Sequence, residues 1–135
     1  FLDEDESHEV PAISGSCMLI RREVLDQIGL LDERFFAYQE DTDYCVRARK
    51  ANWKVTYVPA AVVTHFGGKG GSGQQPFRTI FVWHHSYFLY YRKHLAQDYF
   101  FLVNWFIYLL MGAKFGLSLI VNLFRSNKRP GPRRG

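Results

Sequence analysis

Hydrophobic and polar positions alternate in blocks along this chain, and each block predicts an element. Residues 1–10 are mostly polar and read as loop. Ala12-Ile13-Ser14-Gly15-Ser16-Cys17-Met18-Leu19-Ile20 is a short apolar run interrupted by Gly15. A glycine there marks either a simple bend or a close backbone approach, by a ligand or another strand. Residues 21–28 predict a short helix stopped by Gly29, followed by a turn at 30–34. Residues 41–51 predict a second helix, with Asp41 or Thr42 able to cap it. Cys45, Val46 and Ala48 form its apolar side, and Asn52 stands where a left-handed C-cap would sit. Lys54-Val55-Thr56-Tyr57-Val58-Pro59 alternates like a strand, and 61–65 is a second short strand or extended segment. Residues 67–73 form a Gly-rich loop containing Lys69 and Ser72.

The second half of the chain changes character. Residues 77–95 predict a helix whose Phe77, Ile80, Phe81, Trp83, Phe88 and Tyr91 make a broad aromatic stripe. Arg92, Lys93 and His94 complement its C-terminal dipole. Residues 99–124 are an apolar run of roughly 26 residues, longer than the ~20 that cross a bilayer. Asn104, Lys114 and Asn122 interrupt it, with Gly112 and Gly116 near its middle. A tilted span, a helix lying in the interface and a hairpin all fit. Each involves membrane contact, given the flanking aromatics and the basic tail.

Composition adds limits. The 135 residues suit about one domain, and 47% apolar content allows a core. The net charge of +4 is unevenly spread, with Asp3, Glu4, Asp5, Glu6 and Glu9 at the start and Arg125, Lys128, Arg129, Arg133 and Arg134 at the end. Those basic residues lie in a Pro/Gly tail directly after an apolar run and lack interleaved aromatics. That arrangement suits an anionic membrane surface and argues against nucleic acid. Cys17 and Cys45 lack metal-type spacing and read as reduced and buried. The chain starts at Phe1 without an initiator Met, which suggests a piece of a longer protein.

The candidate chemistry sits in Phe35-Phe36-Ala37-Tyr38-Gln39-Glu40-Asp41-Thr42-Asp43-Tyr44-Cys45-Val46-Arg47. Three carboxylates in four positions repel one another and are costly to desolvate. Beside Phe35, Phe36 and Tyr38 they lie at the lip of a pocket or take part in chemistry; the plain alternative is a solvated helix start. Asp43 and Arg47 stand at ion-pair spacing, so Asp43 reads as structural. His84 and His85 are adjacent and point in different directions on a helix, so they take no ligand role.

Several stretches in order carry a resemblance: Ser14-Gly15-Ser16-Cys17-Met18-Leu19-Ile20-Arg21-Arg22-Glu23, Gly29-Leu30-Leu31-Asp32-Glu33-Arg34-Phe35-Phe36, Tyr38-Gln39-Glu40-Asp41-Thr42-Asp43, Cys45-Val46-Arg47, Trp53-Lys54-Val55, Val58-Pro59 and Thr64-His65. Together they resemble the C-terminal half of family 2 glycosyltransferases, nearest the rhamnosyltransferase-like branch of bacterial cell-surface polysaccharide assembly. The resemblance runs from about residue 10 to about residue 73, with a looser echo in Tyr91-Arg92-Lys93-His94. It departs at Asn52, where the family commonly has Gly before the Trp.

The resemblance implies an α/β fold, the C-terminal part of a GT-A domain with a mostly parallel sheet. Here it would be followed by an aromatic amphipathic helix and a hydrophobic membrane-associated helix. The expected divisions are 1–75 for the acceptor side of the catalytic domain, 76–98 for the amphipathic helix, 99–124 for the membrane segment and 125–135 for a basic disordered tail. The family's nucleotide-binding half carries an Asp-x-Asp metal motif. Asp3-Glu4-Asp5 has those letters but lies too near the Gly15 motif, so it is a chance match.

The implied activity is inverting transfer of a sugar, rhamnose being one option, from a nucleotide-diphosphate donor to a glycan or polyprenyl-linked acceptor. The implied place is the cytoplasmic face of a bacterial membrane. Asp41 would be the catalytic base, and Glu40 would orient the acceptor or raise the pKa of the base. His65 would join a divalent metal, Mg2+ or Mn2+, whose other ligands come from the missing N-terminal half; a solitary surface His is the alternative. On the substrate side, Gly15 offers a close backbone approach. Arg21 and Arg22 would steer the diphosphate, and Lys69 and Ser72 would meet it as their loop closes. The rival expectation is a non-catalytic membrane-associated interaction module docking through its aromatic helix.

Overall fold

The computed structural model describes residues 4–66 and 76–126, with side chains to 124. The chain divides into two compact units, Phe1–Gly67 and Gly68–Gly135. Lys69 and Ser72 lie outside the described residues.

In the first unit, β1 (His8–Glu9) pairs antiparallel with β2 (Thr56–Tyr57), His8 opposite Tyr57 and Glu9 opposite Thr56. Val10 N–H continues the pairing by donating to Val55 C=O at 2.9 Å, and a Glu9–Lys54 ion pair flanks it. The polar start is thus not all loop: its partner strand lies some fifty residues on, beyond the reach of local pattern. This two-stranded ladder is the only sheet among the described residues, where a mostly parallel sheet was expected. Residues 61–65 carry no ladder, and the apolar run from Ala12 holds a 3-10 turn, Gly15–Cys17, instead of a strand.

Two helices form the core of this unit, α1 (Arg22–Ile28) and α2 (Glu40–Lys50). Val24, Tyr44 and Ala48 are buried between them, with Ile20, Leu25, Ile28 and Trp53 packed around the edge. Gly29 ends α1 at φ +76°, a conformation that costs glycine little. Helix α2 ends in a Schellman motif: Trp53 N–H reaches Ala48 C=O and Asn52 N–H reaches Arg49 C=O, both at 3.0 Å. Asn52 takes φ +65°, so it fills the left-handed position expected of it.

Arg47 joins the two helices. Its Nε donates to Asp43 Oδ2 at 2.9 Å, and its two terminal nitrogens donate to Ile28 C=O at 2.8 Å and Leu30 C=O at 2.7 Å. The guanidinium also lies 4.8 Å from the centre of the Tyr44 ring. One planar fork therefore satisfies carbonyls at the C-terminal end of α1 while neutralising a carboxylate on α2.

The second unit is an antiparallel helix pair, α3 (Pro76–His94) and α4 (Phe101–Ser126), joined through a 3-10 turn at Ala96–Asp98. Asn104 fastens the turn. Its Oδ1 accepts from Tyr91 Oη at 2.6 Å, and its Nδ2 donates to Ala96 C=O at 2.8 Å and Tyr99 C=O at 2.9 Å. Phe81 meets Phe115 and Phe88 meets Tyr108 across the pair, beside a cavity of about 280 Å³. The Lys114 ammonium lies 4.5 Å from the Trp83 ring centre, a cation–π contact within this unit. The buried positions of α3 are Ser86, Tyr91 and His94, whereas Phe77, Phe81 and Phe88 of the aromatic stripe stay exposed. Phe101–Phe124 is long and apolar enough to cross a membrane, and none of its most apolar window is buried.

Candidate active site

The site forms where the Gly15 turn meets the first turn of α2. Ser14 opens the 3-10 turn, its hydroxyl accepting from Ser16 N–H at 3.3 Å and Ser16 Oγ at 3.1 Å. Gly15 N–H then donates to Asp41 Oδ2 at 2.7 Å, bridging 26 positions of sequence. One helical turn further on, Cys45 is buried. Burial pushes the Cys45 thiol upward in pKa, which makes it an inert packing group. Cys17, expected to be buried, is exposed at the end of the 3-10 turn, which buries none of its residues.

Gly15 is a glycine for reasons of space. Its φ is not positive; among the described glycines only Gly29 has that feature. A Cβ at position 15 would lie 3.3 Å from Asp41 Cβ and 3.4 Å from its Oδ2. The close approach foreseen at this glycine is therefore made by a carboxylate of the same chain.

Helix α2 starts one residue before the expected cap. Gln39 is its N-cap residue and makes no side-chain cap bond. Tyr38 and Gln39 are both left-handed, at φ +65° and +67°. For L-residues this costs roughly 1–2 kcal/mol each, so the chain reverses sharply just ahead of the acidic cluster. Asp41 still serves a free first-turn donor, from within the helix: its Oδ1 accepts Thr42 N–H at 2.7 Å and Thr42 Oγ at 3.3 Å.

The three carboxylates have separate environments. Asp43 is fully buried and ion-paired to Arg47, as its spacing predicted. Asp41 is half-buried and makes no ion pair among the described residues. Glu40 is half-buried, and its Oε2 is enclosed without a hydrogen-bond partner there. An enclosed, unpartnered carboxylate oxygen is costly and uncommon away from functional sites.

The other candidates are not drawn onto this cluster by any contact seen here. Arg21 precedes α1 and is exposed, and Arg22 pairs with Asp26 at 3.0 Å on an open surface. His65 is exposed on the extended segment after β2. Among the described residues, no group of three or more His, Cys, Asp and Glu side chains is placed to hold a metal. An exposed imidazole suits one ligand position, so His65 fits a metal as a single donor and no more.

The sequence comparisons agree with the motif order. Residues 2–84 match the family described as glycosyltransferase like family 2, and the chain belongs to that family. The family carries the GT-A fold and generally uses a divalent metal. The N-acetylglucosaminyl-diphospho-decaprenol L-rhamnosyltransferase of Mycobacterium tuberculosis is 38% identical over 87 residues, 64% of this chain and 28% of that protein. Rhamnosyltransferase WbbL of Escherichia coli is 32% identical over 71 residues, 53% of this chain and 26% of that protein. The low-salt glycan biosynthesis hexosyltransferase Agl10 of Haloferax volcanii is 53% identical over 38 residues, 28% of this chain and 12% of that protein. The chain thus spans about a quarter of the length of the rhamnosyltransferases it matches. No solved structure matches it.

Proposed function

We propose that the full-length protein is an inverting glycosyltransferase and that this chain supplies its acceptor side. The contact that carries the reading is Gly15 N–H to Asp41 Oδ2 at 2.7 Å, which brings two of the resembling motifs together on one carboxylate. Asp43 is occupied by Arg47, which leaves Asp41 as the ionisable group of the cluster with both a fixed direction and solvent access. Asp41 takes the proton of the acceptor hydroxyl as that oxygen attacks the anomeric carbon, and the nucleoside diphosphate leaves from the opposite face. Glu40 Oε2, enclosed and without a partner among the described residues, accepts a hydrogen bond from the acceptor and orients it.

Arg21 and Arg22 face the diphosphate of the donor, and Lys69 and Ser72 join them. His65 is the chain's ligand to a divalent metal, which when bound would neutralise charge on the leaving diphosphate. The names of the relatives make a rhamnosyl nucleotide the first donor to test and a diphospho-polyprenyl glycan the first acceptor. The α3–α4 pair seats the catalytic domain on the cytoplasmic face of the membrane, with aromatic α3 at the interface.

In the full-length protein, Asp41→Asn abolishes transfer, a loss of about 10²- to 10⁴-fold if only general-base catalysis is removed. Binding of the nucleotide donor, followed by calorimetry, persists. Near-normal turnover by the variant would refute the reading.

A further inference from the structure

We infer that the Gly15 N–H and the Thr42 hydroxyl are positioning groups that select Asp41 Oδ2 as the proton-accepting atom. The inference rests on the base role proposed for Asp41 and reaches to the level of single lone pairs.

An ionised carboxylate has about four lone-pair sites, two on each oxygen. Asp41 Oδ1 accepts from two donors, Thr42 N–H at 2.7 Å and Thr42 Oγ at 3.3 Å, and is filled by its own helix. Oδ2 accepts Gly15 N–H at 2.7 Å and no second donor among the described residues. One oxygen is saturated, and the other keeps one directed site beside an anchored one. Gly15 does not hold this position through an unusual backbone, because its φ is ordinary. It holds it by having no side chain where a Cβ would press on Asp41 at 3.3–3.4 Å. Gly15 therefore acts on the proposed base of this chain.

The test uses the full-length enzyme and separates kcat from KM. Gly15→Ala displaces Asp41 by a few tenths of an ångström and lowers kcat about 10- to 100-fold, because small misplacements at a reacting group are costly. The donor KM stays within about twofold, since this base touches the acceptor and not the nucleotide. Thr42→Val frees one site on Oδ1 and lowers kcat about 3- to 10-fold, and Thr42→Ser restores it. The Thr42 pair decides the matter should Gly15→Ala fail to fold.

Three results would overturn the inference. One is a Gly15→Ala enzyme with wild-type kcat, and another is one whose donor KM rises while kcat holds. The third is Thr42→Ser failing to recover what Thr42→Val loses. Each leaves the base role standing as long as Asp41→Asn is inactive; an active Asp41→Asn enzyme ends both readings together.

Discussion

The two units place their polar and apolar groups in opposite ways. In Phe1–Gly67, a buried Asp43 is paired with a half-buried Arg47, and a small apolar cluster lies between two short helices. In Gly68–Gly135, apolar side chains lie outside: Phe101, Leu102, Trp105, Phe106, Leu109 and Leu110 are all exposed on α4, and the hydrogen-bonding side chain of Asn104 is turned toward α3 and the connecting turn. The same physical chemistry produces both. A buried ion pair fixes geometry at little net gain in stability, which is compatible with the base role proposed for the neighbouring Asp41. An exposed apolar helix is stable only against another apolar surface or lipid, which is compatible with the membrane seat proposed for this pair.

That contrast can be broken at either end. The largest expected effect is Arg47→Met, which removes the Asp43–Arg47 ion pair and the clasp on Ile28 and Leu30. Breaking a buried pair costs about 3–5 kcal/mol, so the denaturant midpoint of this unit falls steeply. Asp43→Asn combined with Arg47→Met recovers a large part of it. Failure of the double variant to improve on the single one would show that the carbonyl bonds, not the ion pair, hold the helices.

Next in size is Lys114→Leu, which removes the charge from the middle of α4. If the helix spans, insertion becomes more favourable by about 2.5–3.5 kcal/mol. An unchanged vesicle partition would place Lys114 at the water boundary and the helix along the interface. Asn104→Ala comes third. It removes three hydrogen bonds at the inter-helix turn and destabilises the pair by about 1–3 kcal/mol, read from the thermal midpoint in detergent.

The smallest effect is chemical. Iodoacetamide at neutral pH labels Cys17 in the folded protein, whereas Cys45, buried with its pKa raised by desolvation, reacts only after unfolding. Burial raises the pKa of the Cys45 thiol, so Cys45 in the folded protein stays unlabelled as the pH rises into the ordinary cysteine range. Equal labelling of both would contradict the burial of Cys45.

Local features of the fold were legible in the sequence where the cause is local. Gly29 and Asn52 are stop signals whose backbone preference is intrinsic, and both sit in the left-handed region. The Asp43–Arg47 pair follows from helical spacing. What was not legible depends on chain segments meeting from a distance. His8 and Glu9 carry no strand pattern, and β2 alone makes them a strand. The reach of Arg47 to Ile28 and Leu30 needs α1 to be in place first. Gly15 signalled a close neighbour, but only tertiary structure shows that the neighbour is Asp41, 26 positions on. The aromatic stripe of α3 was legible as a stripe, and Phe77, Phe81 and Phe88 are exposed on it; periodicity reveals a face, not what covers it.

The left-handed pair at Tyr38 and Gln39 has a consequence for how the acidic helix comes into being. A helix that begins behind two unfavourable torsions, with no capping side chain at Gln39, has a weak local incentive to start there. Docking of the distant Gly15 turn supplies what the local sequence lacks, so the carboxylate is aimed and the helix end is formed in one event. Loosening that dock should therefore unravel the first turn of α2 before anything else, seen as early amide exchange at Thr42 while Ala48 remains protected.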